Sequence, residues 1–227
     1  MSLRPRKTLT QSRGHRIVTE PAVEPISLDY AKEIIRTPPS EDDALIVDCI
    51  AQARAMFESA TGIACITQTW KMTLDHWPQQ RDLWWDGVQQ MAVTELYTGG
   101  NGPATVTLPR FPLQTVDIVA TYSQGNVESL ATVSSVFFTD TESFPGRLML
   151  RSGQVWPTAL REHNAVGITY TAGFGAAQSA VPFVLRRAIA NATAYLYENR
   201  GTGCSSGAVL AQSGALQLAA EYASIHI

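Results

Sequence analysis

Apolar positions spaced three or four residues apart predict two helices in the first 65 residues. Ser27 can cap a short helix whose apolar face begins at Leu28. This helix must end before Pro38, because the residue preceding a proline is pushed out of the α region. A longer helix is predicted after Ser40, with Gly62 as its C-cap. Its apolar positions recur at helical spacing and are Ile46, Cys49, Ile50, Ala53, Phe57 and Ala60.

After Gly62 the hydrophobic period changes from helical to two. Ile66, Trp70 and Leu74 share one face of a predicted strand, whereas threonine and lysine occupy the other face. Further strands are predicted where similar short runs lie between prolines and glycines: 83–85, 88–91, 93–97, 105–108, 116–122, 136–139, 147–150 and 166–171. These runs predict an antiparallel β module over residues 66–175.

Helical spacing returns after Gly175, where Leu185 and Leu196 belong to an apolar stripe. Pro182 is acceptable in the first turn of this helix, and Asn199 lies at its end. Residues 201–214 are rich in Gly and Ser, which predicts a flexible linker. The next residues, 216–225, can form a short helix when something packs against it.

The order of these elements predicts an α+β protein. Residues 25–65 and 176–200 form a small helical bundle, and the β module of residues 66–175 is inserted into it. A basic N-terminal arm, residues 1–24, and a C-terminal linker with a docking segment, residues 201–227, are predicted to be mobile.

Composition indicates a folded chain. Apolar residues make up 45% and charged residues 16% of the 227 residues. No apolar run approaches the ~20 residues that span a bilayer, so no membrane partner is expected. The first residues lack the apolar stretch of a signal peptide. The three cysteines are far apart, which predicts neither a disulfide framework nor a cysteine zinc site and favours a reducing cytoplasm.

The net charge of -3 conceals an asymmetry. Residues 1–16 hold five basic side chains and no acidic one, which leaves residues 17–227 with a net charge of -8. The basic side chains are Arg4, Arg6, Lys7, Arg13 and Arg16. They are candidates for contact with nucleic acid or an acidic partner, although a solvated terminus is the simpler interpretation. The acidic remainder disfavours a general DNA-binding face.

Motifs that would indicate catalysis or cofactor binding do not occur in the sequence. Neither G-x-x-x-x-G-K-[ST] nor G-x-G-x-x-G nor H-E-x-x-H is found, so the sequence predicts no cofactor, no metal and no enzyme activity. Cys49 lies on an apolar helix stripe and is interpreted as a core residue. Asp75 and His76 are adjacent at a strand end, and a small hydrolase that uses this pair is kept as a remote alternative.

Partner-binding candidates come from aromatic and amphipathic segments. Trp84 and Trp85 lie beside a predicted hairpin turn, where either core packing or contact with a partner is open. Leu216, Leu218 and Tyr222 are the predicted anchors of the C-terminal docking segment. Truncation after residue 201 is therefore expected to leave the fold intact and to abolish docking.

A series of short segments between residues 24 and 200 points to one family. The segments, in chain order, are EPISL at 24–28, EDDALI at 41–46, ITQTW at 66–70, WP at 77–78, LPR at 108–110, PLQTV at 112–116, PGRL at 145–148, WP at 156–157, YTAGFG at 170–175 and YENR at 197–200. As an ordered set they resemble the head-tail connector proteins, also called adaptor or head-completion proteins, of tailed bacteriophages and gene transfer agents.

The resemblance implies a structural virion protein made in the bacterial host cytoplasm. Such a protein forms a ring of about twelve copies beneath the portal protein. The ring joins the capsid vertex to the tail, stopper or terminator proteins, and double-stranded DNA passes through it. The resemblance implies no active site and no cofactor. Another neck or tail-completion protein of similar build is the alternative.

Overall fold

A computed structural model describes residues 13–36, 42–77, 105–200 and 205–226. Its helices are α1 (Leu28–Ile35), α2 (Asp43–Thr61), the single turn α3 (Val133–Val136), α4 (Phe183–Glu198), α5 (Ser206–Gln212) and α6 (Ala215–His226). Its strands are β1 (Arg13–Thr19), β2 (Gln68–Leu74), β3 (Thr105–Thr107), β4 (Leu113–Tyr122), β5 (Glu128–Ala131), β6 (Phe137–Asp140), β7 (Arg147–Leu150) and β8 (Val166–Ala172). The α+β class is confirmed.

The first two helices follow local signals in the sequence. Ser27 Oγ accepts a hydrogen bond from the Tyr30 amide at 3.2 Å and so caps α1. Gly62 closes α2 with a φ of 79°, a left-handed conformation that favours glycine. The predicted apolar position Ala60 is exposed, and Glu58 is buried in the last turns of α2 instead.

The larger sheet has five strands in the order β1-β2-β8-β4-β5, and every neighbouring pair is antiparallel. Strand β1 corrects the prediction of a mobile arm for residues 13–19, because these residues pair along β2. Residues 1–12 of the predicted arm lie outside the described residues. The β-branched residues Ile17, Val18 and Thr19 suit an extended strand. This strand was not predicted from the sequence, because the basic side chains of the segment favoured a solvated terminus.

The smaller sheet, in the order β3-β7-β6, shares one buried cluster with the larger sheet. Met72 and Ile168 enter this cluster from the larger sheet, and Leu148 enters it from the smaller one. Trp77 stacks on Trp156 with ring centroids 4.2 Å apart, beside the same cluster. The predicted strands 83–85, 88–91 and 93–97 lie outside the described residues.

The helical bundle is organised around α4, which contacts α1, α2, α5 and α6. The structure corrects the predicted linker within residues 205–214, since residues 206–212 form α5, and residues 201–204 lie outside the described residues. Both C-terminal helices contribute fully or nearly fully buried side chains to the bundle, namely Val209, Leu210, Ala215 and Ala219. Small residues let these helices pack closely on α4, so a composition typical of linkers is compatible with a packed element. Among the described residues, no helix is long and apolar enough to cross a bilayer.

The bundle and the β module meet at a hydrogen-bonded junction. The Gly173 amide donates to the Pro112 carbonyl at 2.9 Å, and the Thr67 amide donates to the Gly175 carbonyl at 3.0 Å. Gly173 has a φ of 134°, and a Cβ there would lie 2.6 Å from the backbone of Ile66. Only glycine fits this close approach of two chain segments.

A buried ionic network reinforces the junction. Glu58 Oε1 accepts from the Cys65 amide at 2.8 Å and from Gln68 Nε2 at 3.0 Å, and Glu58 Oε2 accepts from Arg54 at 3.3 Å. Arg54 Nε also donates to Glu24 at 2.8 Å. The network therefore ties α2 to β2 and to the segment that precedes α1, and it satisfies a carboxylate that is costly to bury alone.

Candidate interaction surfaces

Three side chains that could serve in catalysis, those of Asp75, Cys49 and Cys65, are engaged in hydrogen bonding or buried in the fold. The Asp75 carboxylate, half of the remote hydrolase pair, accepts a hydrogen bond from the Asn164 amide at 2.8 Å. Burial raises the pKa of the Cys49 and Cys65 thiols, which keeps them protonated and unreactive near neutral pH. Within the described residues, no three His, Cys, Asp or Glu side chains are grouped to hold a metal ion.

One cluster of polar aromatic side chains joins β1 to the sheet. His15 stacks on Trp70 with ring centroids 4.4 Å apart and an interplanar angle of 7°. His15 Nε2 lies 2.8 Å from the hydroxyl of Tyr170, which is fully buried on β8. The Arg110 guanidinium also lies 4.4 Å from the centre of the Trp70 ring. Three adjacent strands are thus linked through side chains on one face of the sheet.

The electrostatics of this cluster favour neutral groups. Burial, and then the nearby Arg110 charge, lower the pKa of His15 to about 4. Burial also raises the pKa of Tyr170. Both groups stay neutral at physiological pH, so the cluster holds β1 in place and is not tuned for proton transfer. Sequence reasoning treated His15 as part of a disordered arm; the extended Ile17, Val18 and Thr19 run was the signal that could have placed it.

Two of the five predicted basic contacts, Arg13 and Arg16, lie on β1. Arg4, Arg6 and Lys7 lie outside the described residues, as do Trp84 and Trp85. Arg13 begins β1 opposite Leu74. Arg16 is exposed on β1 and lies opposite Lys71 of β2, so it sits on the sheet and not on a separate arm.

The predicted C-terminal anchors pack against the bundle of their own chain. Leu216, Leu218 and Tyr222 are partly buried against the helical core, and Tyr222 makes an edge contact with Phe174 at a centroid distance of 6.1 Å. These contacts already stabilise α6 in the single chain. Binding of a partner through the three side chains stays a prediction.

An exposed apolar and basic group lies at the start of α4. The side chain of Phe183 is 62% exposed, Val184 is 37% exposed, and Arg187 is exposed one turn further along the helix. Residues three and four apart share one side of a helix, so Arg187 neighbours both apolar side chains. We call Phe183, Val184 and Arg187 the basic end surface.

A second exposed group lies at the start of α2. Leu45 is 36% exposed, and Asp48 is exposed on the same side of the helix. We call Leu45 and Asp48 the acidic end surface. Within the described part of the chain, neither Asp48 nor Arg187 forms a salt bridge.

The two end surfaces lie at opposite ends of the bundle. Asp42, which precedes α2, is hydrogen-bonded by the Tyr197 hydroxyl and lies 3.8 Å from the Arg200 guanidinium, both near the end of α4. Helices α2 and α4 are therefore antiparallel, and their starts are separated by roughly the length of α4, about 24 Å at 1.5 Å per residue.

Comparison with known proteins identifies this architecture. No protein-family model matches the chain, and no curated protein matches it. A chain in the neck of an empty gene transfer agent (GTA) particle, computed with C6 symmetry, has a TM-score of 0.63 and 21% identity, covering 88% of this chain and 94% of that one. This chain shares its fold with proteins of GTA particles.

Two further structures show the same GTA fold. A chain of the native GTA virion has a TM-score of 0.64 and 21% identity, covering 87% of this chain and 93% of that one. A chain in the neck of the native GTA particle, computed with C12 symmetry, has a TM-score of 0.58 and 23% identity, covering 87% of this chain and 94% of that one. The GTA fold therefore extends over nearly the whole length of all four chains, including the inserted β module.

Proposed function

We propose that this chain is a head-tail connector, a structural virion protein of the neck that joins a capsid vertex to a tail. The observation that carries the proposal is the similarity in fold to chains of GTA necks over 87% or more of this chain and 93% or more of each matched chain. Because the match includes both the bundle and the β module, it extends beyond a single common motif. The ordered segments between residues 24 and 200 support the same assignment.

The proposed assembly is a ring beneath the portal protein, with about twelve copies. The C6 and C12 symmetries of the two neck structures support a ring. In this assembly the chain acts by shape and contact. The contacts of Asp75 and of the two buried thiols support this role, because these groups are hydrogen-bonded or buried within the fold.

We place portal docking on the C-terminal helices. The structure corrects the expectation that truncation after residue 201 leaves the fold intact, because truncation would remove Val209 and Leu210 from the core. A cleaner test uses Ala211→Glu together with Ala220→Glu, since both alanines are exposed on these helices. We expect the folded double variant to lose portal binding. Normal binding would assign docking to another surface.

DNA passage through the ring requires a channel that does not hold phosphates. The net charge of -8 over residues 17–227 supports a neutral or acidic lining, since each neutralised phosphate contact would resist sliding. We expect a variant with Arg4, Arg6 and Lys7 replaced by Gln not to bind duplex DNA in a fluorescence anisotropy titration at about 0.1 M salt. Micromolar binding that weakens steeply with salt would contradict this.

Electron microscopy tests the proposed function directly. The purified chain is imaged alone and after mixing with the portal protein encoded beside it. We expect rings seated coaxially on portals. Rings that bind a tail protein but no portal would support a tail-completion protein instead, and a chain that stays monomeric with every neck component would overturn the proposal.

A further inference from the structure

The start of α4 carries positive charge where a helix disfavours it. Arg186 and Arg187 lie within its first turns, and its first turn holds no acidic residue. The positive end of the helix dipole disfavours a guanidinium close to the first turn, and this effect weakens from Arg186 to Arg187. The Arg186 guanidinium carbon lies 5.8 Å from the centre of the Phe183 ring, and its buried Nε has no hydrogen-bond partner among the described residues. A negatively charged group outside the described chain would offset this arrangement.

The start of α2 has the opposite character. Asp42 and Asp43 are already paired with Arg200 and Lys32, whereas the exposed Asp48 has no salt bridge with a described residue. Leu45 lies beside Asp48 and offers an apolar contact. The acidic end surface is therefore complementary to the basic end surface in charge, and both combine an apolar contact with a charge, as the centre and rim of an interface do.

Two complementary surfaces at opposite ends of one bundle are suited to head-to-tail contacts between copies of the chain. A ring is closed by heterologous contacts, in which one surface of a copy meets a different surface of the next copy. A contact between two basic end surfaces would bring like charges together, which disfavours that pairing.

We propose that neighbouring copies in the ring contact each other head to tail, with Phe183, Val184 and Arg187 of one copy packed against Leu45 and Asp48 of the next. This inference rests on the proposed function, because it requires a ring. The occupant of the basic end surface is a second copy of this chain, and Arg187 pairs with Asp48 across the interface. Phe183 supplies the largest apolar contact.

Charge reversal tests the pairing in the full chain. Arg187→Glu and Asp48→Arg each place like charges together, and we expect each to reduce the fraction of chain in rings at least about tenfold. The double variant restores an inverted pair at every interface and should recover ring formation. Both positions are exposed, so the thermal unfolding midpoints should stay close to that of the wild type. Loss in both single variants without recovery in the double variant would overturn the pairing.

Cross-linking tests the head-to-tail arrangement. Leu45→Cys and Val184→Cys are combined in one chain with Cys204→Ser and treated with a short bismaleimide. We expect a ladder of cross-linked oligomers up to the full ring, whereas an equal mixture of the two single variants should stop at dimers. A double variant that also stops at dimers would indicate a two-fold contact and overturn the proposal. A matched control pairs Leu45→Cys with Val155→Cys, whose position is 82% exposed in the β module and should give no ladder.

The outcomes of these experiments distinguish a wrong interface from a wrong function. Where electron microscopy shows wild-type rings but charge reversal leaves them intact, the interface is wrong and the connector function stands. Where the wild-type chain forms no ring with any neck component, the proposed function itself fails.

Discussion

The individual helices of the bundle and the strand pairs of the β module depend on contacts of different range along the chain. In the bundle, the cap of α1 joins Ser27 to a residue three positions away, and α2 closes at Gly62 through a hydrogen bond to the Glu58 carbonyl. In the β module, β2 pairs with β8, so that Gln68 lies opposite Ala172. The spacing of apolar and polar residues indicates such local contacts. The pairing of β2 with β8, by contrast, joins segments about a hundred residues apart.

The junction decides whether these two regions behave as one cooperative unit. All five tryptophans fall between residues 66 and 175, and the three that the structure describes, Trp70, Trp77 and Trp156, lie in the β module. Tryptophan fluorescence therefore reports on the module, and far-ultraviolet circular dichroism at the helical band reports mainly on the bundle. Coincident unfolding by the two probes would indicate a single unit.

The largest expected effect comes from Phe57→Ala in the bundle core. Phe57 is fully buried, and truncation of such a side chain costs about 3–5 kcal/mol of unfolding free energy. We expect both probes to shift together in urea titrations, because the junction couples the two regions. The control Ala60→Ser, at an exposed position of the same helix, should change stability by about 0.5 kcal/mol or less. A shift of the helical signal alone would mean that the regions unfold separately.

The Glu58→Ala variant should break the coupling itself. It leaves the Cys65 amide, Gln68 Nε2 and Arg54 without their buried acceptor, at a cost of about 3 kcal/mol. We expect the fluorescence and circular dichroism transitions to separate. Glu58→Gln keeps a carbonyl acceptor toward Cys65 and Gln68 and should lose less stability. Transitions that stay coincident in Glu58→Ala would show that these hydrogen bonds do not couple the regions.

A smaller, pH-dependent effect is expected at the edge of the β module. The folded pKa of His15 is about 4, below the ordinary 6.5, so the unfolded chain binds the proton more readily than the folded one. The titration of His15 therefore leaves the free energy of unfolding unchanged above pH 6.5 and decreases it as the pH falls from 6.5 to 4. Since His15 is partly exposed to solvent, the loss is about 1 kcal/mol.

The test compares urea midpoints of the wild type and His15→Gln between pH 7 and pH 4.5. The variant should lose the part of the pH dependence that His15 contributes. Ser179→Ala, at an exposed position that carries no titratable group, should follow the wild-type curve. Identical pH profiles for the wild type and His15→Gln would contradict the role of the cluster in holding β1.

The smallest effects are expected at the helix caps. Ser27 Oγ accepts from the Tyr30 amide, and Ser205 Oγ accepts from the Ala208 amide at 3.3 Å. Replacing either serine by Ala should cost about 0.5 kcal/mol, the low end of the range for a lost cap. Ser179→Ala, at an exposed position outside these caps, is the control. A cap variant that matches this control would mean that packing on α4 alone holds its helix.

Sequence reasoning was most successful where one short segment carries the whole signal. It placed α1, with its Ser27 cap, and the Gly62 end of α2. The bounds of β7, residues 147–150, agree with the prediction, since breakers flank an apolar run. Two edge strands were missed. β5 is short and largely exposed, and β1 lies in a basic segment whose partner is more than fifty residues away.

For the candidate surfaces, the sequence likewise shows the residue types, and only the structure shows their arrangement. The sequence displays the charges of Asp48 and Arg187 and the hydrophobicity of Leu45 and Phe183, but not that their helices are antiparallel. It predicted Leu216, Leu218 and Tyr222 as anchors for a partner, but not that all three pack against the bundle of their own chain.

The sequence by itself determined α1, α2 and α4, the Ser27 and Gly62 caps, most of the described strands and the α+β class, because backbone propensity and side-chain period act over a few residues. Only the tertiary structure decided that β1 belongs to the sheet, that Glu58 is buried and that the C-terminal helices complete the bundle. The burial of Glu58 depends on hydrogen bonds from Cys65 and Gln68, which chain folding brings to α2. The placement of β1 depends on pairing with β2. Such contacts join distant segments, and their energies arise only once the chain is assembled.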